Sequence, residues 1–453
     1  MNSPTTENNH YDRETEVKEF DSSKLGVKGL LDTGIKTIPR IFHQPPENLP
    51  CTNLKETMQT VPVIDMSQDR SEVVEKVRKM SSTLGFFQVV NHGVDVKMIE
   101  SVVNDVKKFF EMDDEYKMRF YSRETGKSAT YFTNFDLFHS KAASWRDTLQ
   151  VRMSPIEPDW EAVPEMCRQA LKDLDKAVVS LGDELMSILC EGLGVKSDKL
   201  KELTCLEGRV SVSHYYPQCP QPDVTFGITP HTDPGVLSVL VQNEVGGLLQ
   251  VKCGEDWAAV DAVPGAIVIN IGDLLQWYYP ISLSNGEYKS VEHRVLANPE
   301  EAARVSIVVF LNPSVREKLY GPFPELISAE KPAVYKEFTF SDYMRRKLGY
   351  CKWECLALKK KQDGGNDNKN KDNNFVAMIS EVFFLEEENS WWVDFGATRH
   401  MCNVFKYLKK TVDYGLEYNR DPSKLEGSKK QSCLTDSPMT SKFMALALCC
   451  KEA

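Results

Sequence analysis

The spacing of apolar residues changes from a helical to a strand-like period near residue 208, and this change restricts the folds open to the chain. Before it, one apolar stripe has helical spacing: Leu171, Leu174, Val178, Leu181, Leu185 and Leu189. After it, short alternating segments are separated by Gly and Pro, as at 246–247 and 264–265. Because helices bury side chains about every 3.6 residues and strands every second residue, residues 201–346 are predicted to form a closed barrel or a double-sheet jelly roll.

The segments before residue 201 predict a helical layer packed on this β core. VPVID (61–65) and FFQVV (86–90) indicate short buried strands, and apolar stripes at helical spacing follow each of them. Residues 1–60 are rich in proline and predict an extension that is mostly loop, with one short helix around 20–33. We therefore divide the chain into an N-terminal extension (1–60), an N-terminal domain (61–200), a jelly-roll domain (201–346), a linker (347–374) and a C-terminal segment (375–453).

Charge and apolar patterning exclude several classes of function. The net charge of −11 disfavours general nucleic-acid binding, which needs a basic face. No apolar run reaches the roughly 18–20 residues of a membrane span, and the polar, acidic start does not resemble a signal peptide. Most of the 12 cysteines stand singly, without the spacing of a disulfide framework. We expect a cytoplasmic, monomeric protein that acts on a small molecule and binds neither nucleic acid nor membrane.

Two histidines and one aspartate in the β-rich region indicate a metal site. On a strand, residues i and i+2 share a face, so His231 and Asp233 can point to one ion, and His293 can complete the set from a neighbouring strand. A lone His-x-Asp pair is more often a turn or a surface pair. The metal interpretation is favoured because Arg304 and Ser306 follow, again on one face, as a clamp suited to the carboxylate of a small diacid. Two imidazoles and one carboxylate suit non-haem Fe(II) and oxygen chemistry.

The sequence resembles the plant iron- and 2-oxoglutarate-dependent dioxygenases over about residues 20–346. The first matching stretch and the His-Tyr-Tyr-Pro motif resemble the branch called 1-aminocyclopropane-1-carboxylate oxidase homologues. The stretches that carry the resemblance are FDSSKLGVKGLLDTGIKTIPRIF, VPVID, LGFFQVVNHGV, HYYPQCPQP, TPHTDPGVLSVL, NIGDLLQ, SVEHRVLAN and RVS.

This resemblance implies a mainly β fold with added helices: a double-stranded β-helix (jelly-roll) core under an N-terminal helical layer. It implies that His231, Asp233 and His293 are the catalytic Fe(II) ligands. Tyr216, Arg304 and Ser306 would bind 2-oxoglutarate, the cosubstrate used with O2, and ascorbate is an optional further requirement. The implied activity is hydroxylation of a small specialised metabolite, with decarboxylation of 2-oxoglutarate to succinate.

Other residues around the iron would set the substrate specificity. His214 replaces the Asn that the family often has two positions before its tyrosine, and lies either at the site or in the core as a hydrogen-bonded histidine. Tyr131, Phe132 and Phe135 could line the pocket, although each is more readily explained as a packing aromatic. WYYPIS (277–282) resembles an insertion in the loop that precedes His293.

Beyond residue 346 the sequence changes character. KKKQDGGNDNKNKDNN (359–374) predicts a disordered linker. LGYCKWECLALKKKQ, SWWVDFGATRHMC and the segments around 405–427 and 428–453 resemble the zinc knuckle, protease and ribonuclease H flanks of a copia-type retrotransposon polyprotein. Each lacks residues that its chemistry needs, so we expect a largely disordered, inert remnant.

Four functional hypotheses follow from these features. The favoured one is an active dioxygenase with a passenger tail, and its main rival is a catalytically impaired dioxygenase–transposon fusion. A nucleic-acid-binding or proteolytic polyprotein fragment is disfavoured by the acidity of the chain. Ethylene-forming oxidase chemistry would require ascorbate rather than 2-oxoglutarate.

Overall fold

The computed structural model describes most of the chain before residue 348 and two short strands after it. The described residues are 11–49, 60–124, 126–276, 282–333, 335, 337–347, 384–387 and 390–393. Two units are distinguished, Met1–Leu348 and Gly349–Ala453. In the second, β15 (Phe384–Glu387) and β16 (Ser390–Val393) pair as an antiparallel hairpin. The predicted disorder and transposon origin of 347–453 otherwise concern residues outside the described ones.

Helices form the N-terminal layer, as the apolar stripes predict. In the helix Val96–Phe110, the six apolar residues at helical spacing between Ile99 and Phe110 are all buried. The described helices are α1 (Arg13–Ser23), α2 (Gly26–Asp32), α3 (Arg70–Thr83), α4 (Val96–Phe110), α5 (Asp114–Met118), α6 (Glu165–Gly192), α7 (Lys199–Glu202) and α8 (Phe340–Lys347). None of the described helices offers a stretch long and apolar enough to cross a bilayer.

The single helix expected around 20–33 was wrong, because the structure has two helices there. Lys24 ends α1 in the left-handed conformation (φ 55°), and Gly26 also has a positive φ of 69° at the start of α2. The amides of Val27 and Lys28 in the first turn of α2 donate to the carboxylate of Asp147 on a distant strand, at 2.9 Å each. A tertiary contact therefore caps α2, which the local sequence does not reveal.

Twelve strands of the first unit form two sheets that face each other. The large sheet has the order β1-β2-β10-β7-β12-β5-β4-β3, and the small sheet has the order β6-β11-β8-β9. The strands of the large sheet are β1 (Val63–Asp65), β2 (Phe86–Val90), β3 (Ala129–Phe132), β4 (Asp147–Arg152), β5 (Gly208–Tyr216), β7 (Leu237–Gln242), β10 (Ile267–Ile271) and β12 (Arg304–Asn312). Those of the small sheet are β6 (Phe226–His231), β8 (Leu249–Cys253), β9 (Asp256–Ala259) and β11 (His293–Leu296).

This arrangement of two sheets confirms the predicted jelly-roll core with its helical layer. A short ladder of β13 (Leu319–Tyr320) and β14 (Phe338–Thr339) precedes α8. Strands β3 and β4 extend the large sheet from residues that the sequence analysis left without strands. The predicted domain boundaries stay predictions.

The two faces of the large sheet have different roles, and β12 shows the alternation. Val305, Ile307 and Val309 belong to the main core cluster, together with residues of α4 and α6. Arg304, Ser306, Val308 and Phe310 face the other way, into a pocket between the sheets. Since side chains on a strand point alternately to opposite faces, the helical layer that buries one face leaves the other for the site.

Candidate metal centre and cosubstrate pocket

The three predicted metal ligands converge at one end of the small sheet. His231 ends β6, His293 begins β11, and the two residues are direct partners in the antiparallel ladder. Their ring centroids are 4.2 Å apart. Oδ1 of Asp233 lies 3.6 Å from Nε2 of His231 and 3.5 Å from Nε2 of His293. Three donor atoms within 4.8 Å of one another can bind a single ion.

Hydrogen bonds behind the three ligands fix their orientation. Nδ1 of His231 donates to the carbonyl of Thr229 at 2.9 Å, and Nδ1 of His293 lies 3.3 Å from the carbonyl of Val291. Because a carbonyl oxygen only accepts, each Nδ1 carries the hydrogen, and each Nε2 can present its lone pair to an ion. Such support of metal-binding imidazoles is a general feature of metal sites.

The carboxylate of Asp233 is held in the same manner. Its Oδ2 accepts from the hydroxyl of Ser238 at 2.7 Å and from the amide of Asn270 at 2.8 Å. Oδ1 is thereby left to face the two imidazoles. Sequence analysis missed Ser238 and Asn270; the alternation of β10 places Asn270 on the inner face, but only the pairing of β10 with β7 brings it to Asp233.

Burial and mutual charge set the protonation of the three ligands. Burial and the neighbouring His293 lower the pKa of His231 to about 3, so this ring is neutral at physiological pH. Burial lowers the pKa of His293, but the Asp233 carboxylate outweighs burial and raises that pKa above its ordinary value. Burial also disfavours the charged form of Asp233, yet the histidines hold its pKa well below the usual range. A divalent ion would displace any proton shared by His293 and Asp233.

Arg304 is a buried cation that has neutral partners in the described part of the chain. Its side chain is 1% exposed. Nη2 donates to Oε1 of Gln242 at 2.6 Å, and Nη1 lies 3.4 Å from the hydroxyl of Ser306. Among the described residues no carboxylate forms an ion pair with it, and burial lowers its pKa. Since a buried charge without a counter-charge is unfavourable, the guanidinium suits an anionic ligand.

Tyr216 and His214 lie on the neighbouring strand at the same level. β12 pairs with β5 so that Arg304 is opposite Tyr216 and Ser306 is opposite His214. The guanidinium carbon of Arg304 is 5.0 Å from the centroid of the Tyr216 ring. His214 contacts the hydroxyl of Thr148 through Nδ1 at 3.1 Å, and burial lowers its pKa well below the ordinary value. His214 is therefore both a hydrogen-bonded histidine and a residue of the pocket wall.

One pocket joins the metal triad to the arginine. All six predicted site residues line this pocket: His231, Asp233 and His293 line one part, and Tyr216, Arg304 and Ser306 line another. The remaining wall is mostly apolar: Phe86, Ile228, Leu240, Leu249, Val268, Val295, Val308 and Phe310. A small ligand in this pocket is shielded from water by these side chains.

The aromatics considered as specificity residues do not line this pocket. Tyr131 is fully buried and packs against Phe109 and Phe110, which confirms its interpretation as a packing residue. Phe132 is buried under the guanidinium of Arg123, and Phe135 is 47% exposed. The insertion proposed at 277–282 lies outside the described residues except for Ser282, which is buried.

A second polar cluster, which sequence analysis missed, fixes the loop between His231 and Asp233 to the last helix. Asp273 accepts hydrogen bonds from Thr232 at 3.1 Å, from Tyr343 and from Lys347. The Lys347 ammonium also donates to the carbonyl of Thr232 at 2.6 Å. Helix α8 thus supports the metal-binding loop from behind.

The residues present fit both Fe(II) and 2-oxoglutarate. Two neutral imidazole nitrogens and one oriented carboxylate oxygen form the donor set of non-haem iron oxygenases. The buried guanidinium of Arg304, which has no carboxylate partner in the described part of the chain, fits the carboxylate of a keto diacid together with the adjacent hydroxyl. Fold and site together define an oxygenase that uses iron and 2-oxoglutarate.

Comparison with known proteins supports this class of oxygenase and identifies the chain's relatives within it. The model of the 2OG-Fe(II) oxygenase superfamily matches residues 208–313, and that of the non-haem dioxygenase in morphine synthesis N-terminal domain matches 61–170. The chain is 41% identical to 1-aminocyclopropane-1-carboxylate oxidase homolog 3 of Arabidopsis thaliana over 348 residues, 74% of this chain and 92% of that protein. It is 42% identical to deacetoxyvindoline 4-hydroxylase of Catharanthus roseus over 344 residues, 73% of this chain and 84% of that protein. The chain belongs to the 2OG-Fe(II) oxygenase superfamily, among relatives named 1-aminocyclopropane-1-carboxylate oxidase homologues.

Solved structures show the same fold. JOX2 in complex with 2OG, Fe and JA superposes with a TM-score of 0.64 at 29% identity, covering 71% of this chain and 93% of that one. The rice dioxygenase for auxin oxidation superposes with a TM-score of 0.54 at 25% identity, covering 64% of this chain and 95% of that one.

Proposed function

We propose that this enzyme hydroxylates a small specialised metabolite and converts 2-oxoglutarate to succinate and CO2 in the same reaction. His231, Asp233 and His293 hold Fe(II), and Tyr216, Arg304 and Ser306 hold the cosubstrate. One observation carries the proposal: three metal donors line the same pocket as a buried guanidinium that has no carboxylate partner among the described residues.

The protein groups bind, orient and exclude water, while bound iron supplies the activation of O2 that breaks a substrate C–H bond. Arg304 neutralises the distal carboxylate of 2-oxoglutarate, and the Ser306 hydroxyl adds a hydrogen bond beside it. Ser238 and Asn270 keep Asp233 turned to the ion. The apolar wall excludes water that would compete for the reactive centre.

The names of similar proteins support a small-molecule substrate. Deacetoxyvindoline 4-hydroxylase is named as a hydroxylase, and JOX2 was solved with a small molecule beside 2OG and Fe. We extend the proposal to a monomer in the cytosol that binds no nucleic acid, consistent with the five free cysteines of the described residues and the net charge of −11.

Anaerobic addition of Fe(II) and 2-oxoglutarate should produce the weak visible charge-transfer band of the chelated cosubstrate. In air, the wild type should form succinate from 2-oxoglutarate, and His231→Ala should abolish both signals. His139→Ala, at an exposed histidine outside the pocket, is the matched control and should retain both. A wild type without band or succinate would favour the catalytically impaired fusion.

A further inference from the structure

A second guanidinium, that of Arg146, extends the row of Tyr216 and Arg304 across the large sheet. β4 pairs with β5 so that Asp147 is opposite Tyr215 and Thr148 is opposite His214. One residue further along this register, Arg146 stands beside Tyr216, which has Arg304 on its other side.

The side chain of Arg146 lies on the inner face of the sheet. Its neighbour Asp147 points the other way, to the first turn of α2. Nη1 of Arg146 crosses to the small sheet and donates to the carbonyl of Gly227 at 3.1 Å. A Cβ on Gly227 would come within 2.9 Å of the Tyr216 ring, so this carbonyl belongs to the wall beside Tyr216.

Arg146 has no ion-pair partner among the described residues. Its Nε is also buried without a hydrogen-bond partner among them. Burial lowers the pKa of Arg146, and the opposing effects of Tyr216 and Asp136 compensate for this lowering only in part. A buried donor without an acceptor is unfavourable. A ligand in the adjacent pocket would supply the acceptor that Nε of Arg146 lacks.

Counting the charges that line the pocket, together with that of the adjacent Arg146, indicates what charge the ligand carries. With Fe(II) bound, the two neutral imidazoles, Asp233, Arg304 and the 2-oxoglutarate dianion sum to zero. Arg146 then contributes one positive charge in excess. A single negative charge on the organic substrate would balance it.

We propose that Arg146 binds the carboxylate of the organic substrate, so that the enzyme acts on small carboxylic acids. This inference rests on the proposed function, and it assigns Arg146 as a residue that determines specificity. Tyr216 separates the two guanidinium groups, so the cosubstrate occupies Arg304 and the substrate acid occupies Arg146.

The test compares acids with their neutral amides on the full chain loaded with Fe(II) and 2-oxoglutarate without oxygen. Octanoate and phenylacetate are titrated beside octanamide and phenylacetamide by calorimetry. In the wild type we expect at least one acid to bind about 10- to 100-fold more tightly than its amide. Arg146→Gln should remove this preference, and Arg146→Lys should keep part of it. Arg152→Gln, at an exposed arginine at the far end of β4, should keep all of it.

The dissociation constant of 2-oxoglutarate is measured in parallel to separate this inference from the proposed function. It should be unchanged by Arg146→Gln. A wild type that shows no preference for acids over amides would overturn the inference, even if the glutamine variant does not fold. Weaker 2-oxoglutarate binding in a folded Arg146→Gln variant would also overturn it, since the guanidinium would then serve the cosubstrate. Failure of the wild type to bind 2-oxoglutarate would instead count against the proposed function.

Discussion

Removing the amide of Asn270 should weaken metal binding without removing a metal ligand. Asn270→Ala deletes the 2.8 Å hydrogen bond to Oδ2 of Asp233 and leaves the bond from Ser238. A hydrogen bond to a charged acceptor contributes about 1.5–3 kcal/mol. With a factor of ten for each 1.4 kcal/mol, the dissociation constant of Fe(II) should rise about 10- to 100-fold, the range typical of groups that orient metal ligands.

The assay is an anaerobic Fe(II) titration, followed by calorimetry, with thermal unfolding of each apo variant measured alongside. Asn243→Ala is the matched control, because among the described residues the Asn243 side chain bonds to the backbone of Ala303 and Val305 and to none of the three metal ligands. It should lower stability while leaving the metal affinity unchanged. If Asn270→Ala bound Fe(II) as tightly as the wild type and lost only stability, the orientation of Asp233 by Asn270 would be refuted.

Three further variants test other parts of the structure. Arg304→Lys keeps a charge but loses the two-pronged guanidinium, so the dissociation constant of 2-oxoglutarate should rise at least about tenfold in an anaerobic titration, with unchanged metal affinity. Lys347→Met removes the ammonium bound to Asp273, so urea unfolding should show a loss of about 1–3 kcal/mol; equal stability would exclude a supporting role for α8. Asp147→Ala leaves two amides of α2 unpaired, so it should lower the free energy of unfolding by about 2 kcal/mol, and an unchanged urea midpoint would contradict this capping role.

The spacing of apolar residues was sufficient to predict those features of the fold that lie within a single helix or strand. The two-residue alternation of β12 already placed Arg304 and Ser306 on one face, and the stripes of α4 and α6 marked the faces that are buried against the sheet. These predictions succeed because a single element decides which of its own faces is apolar.

Contacts between distant segments were not predictable in this way. The pairing of β4 with β5 brings Arg146 beside Tyr216, and the packing of α8 brings Lys347 to Asp273. The capping of α2 likewise depends on Asp147, which lies more than a hundred positions further along the chain. None of these partners leaves a periodic signal near the residue that it contacts.

The sequence by itself determined the chemistry that is available: two imidazoles and one carboxylate in the β-rich region, followed by an arginine and a serine. Tertiary structure alone decided how these groups are used. The ladder between β6 and β11 sets the distance between His231 and His293, and the hydrogen bonds from Ser238 and Asn270 turn Asp233 toward them. The physical reason is that side-chain type is a local property, whereas orientation, burial and charge balance depend on groups that only folding brings together.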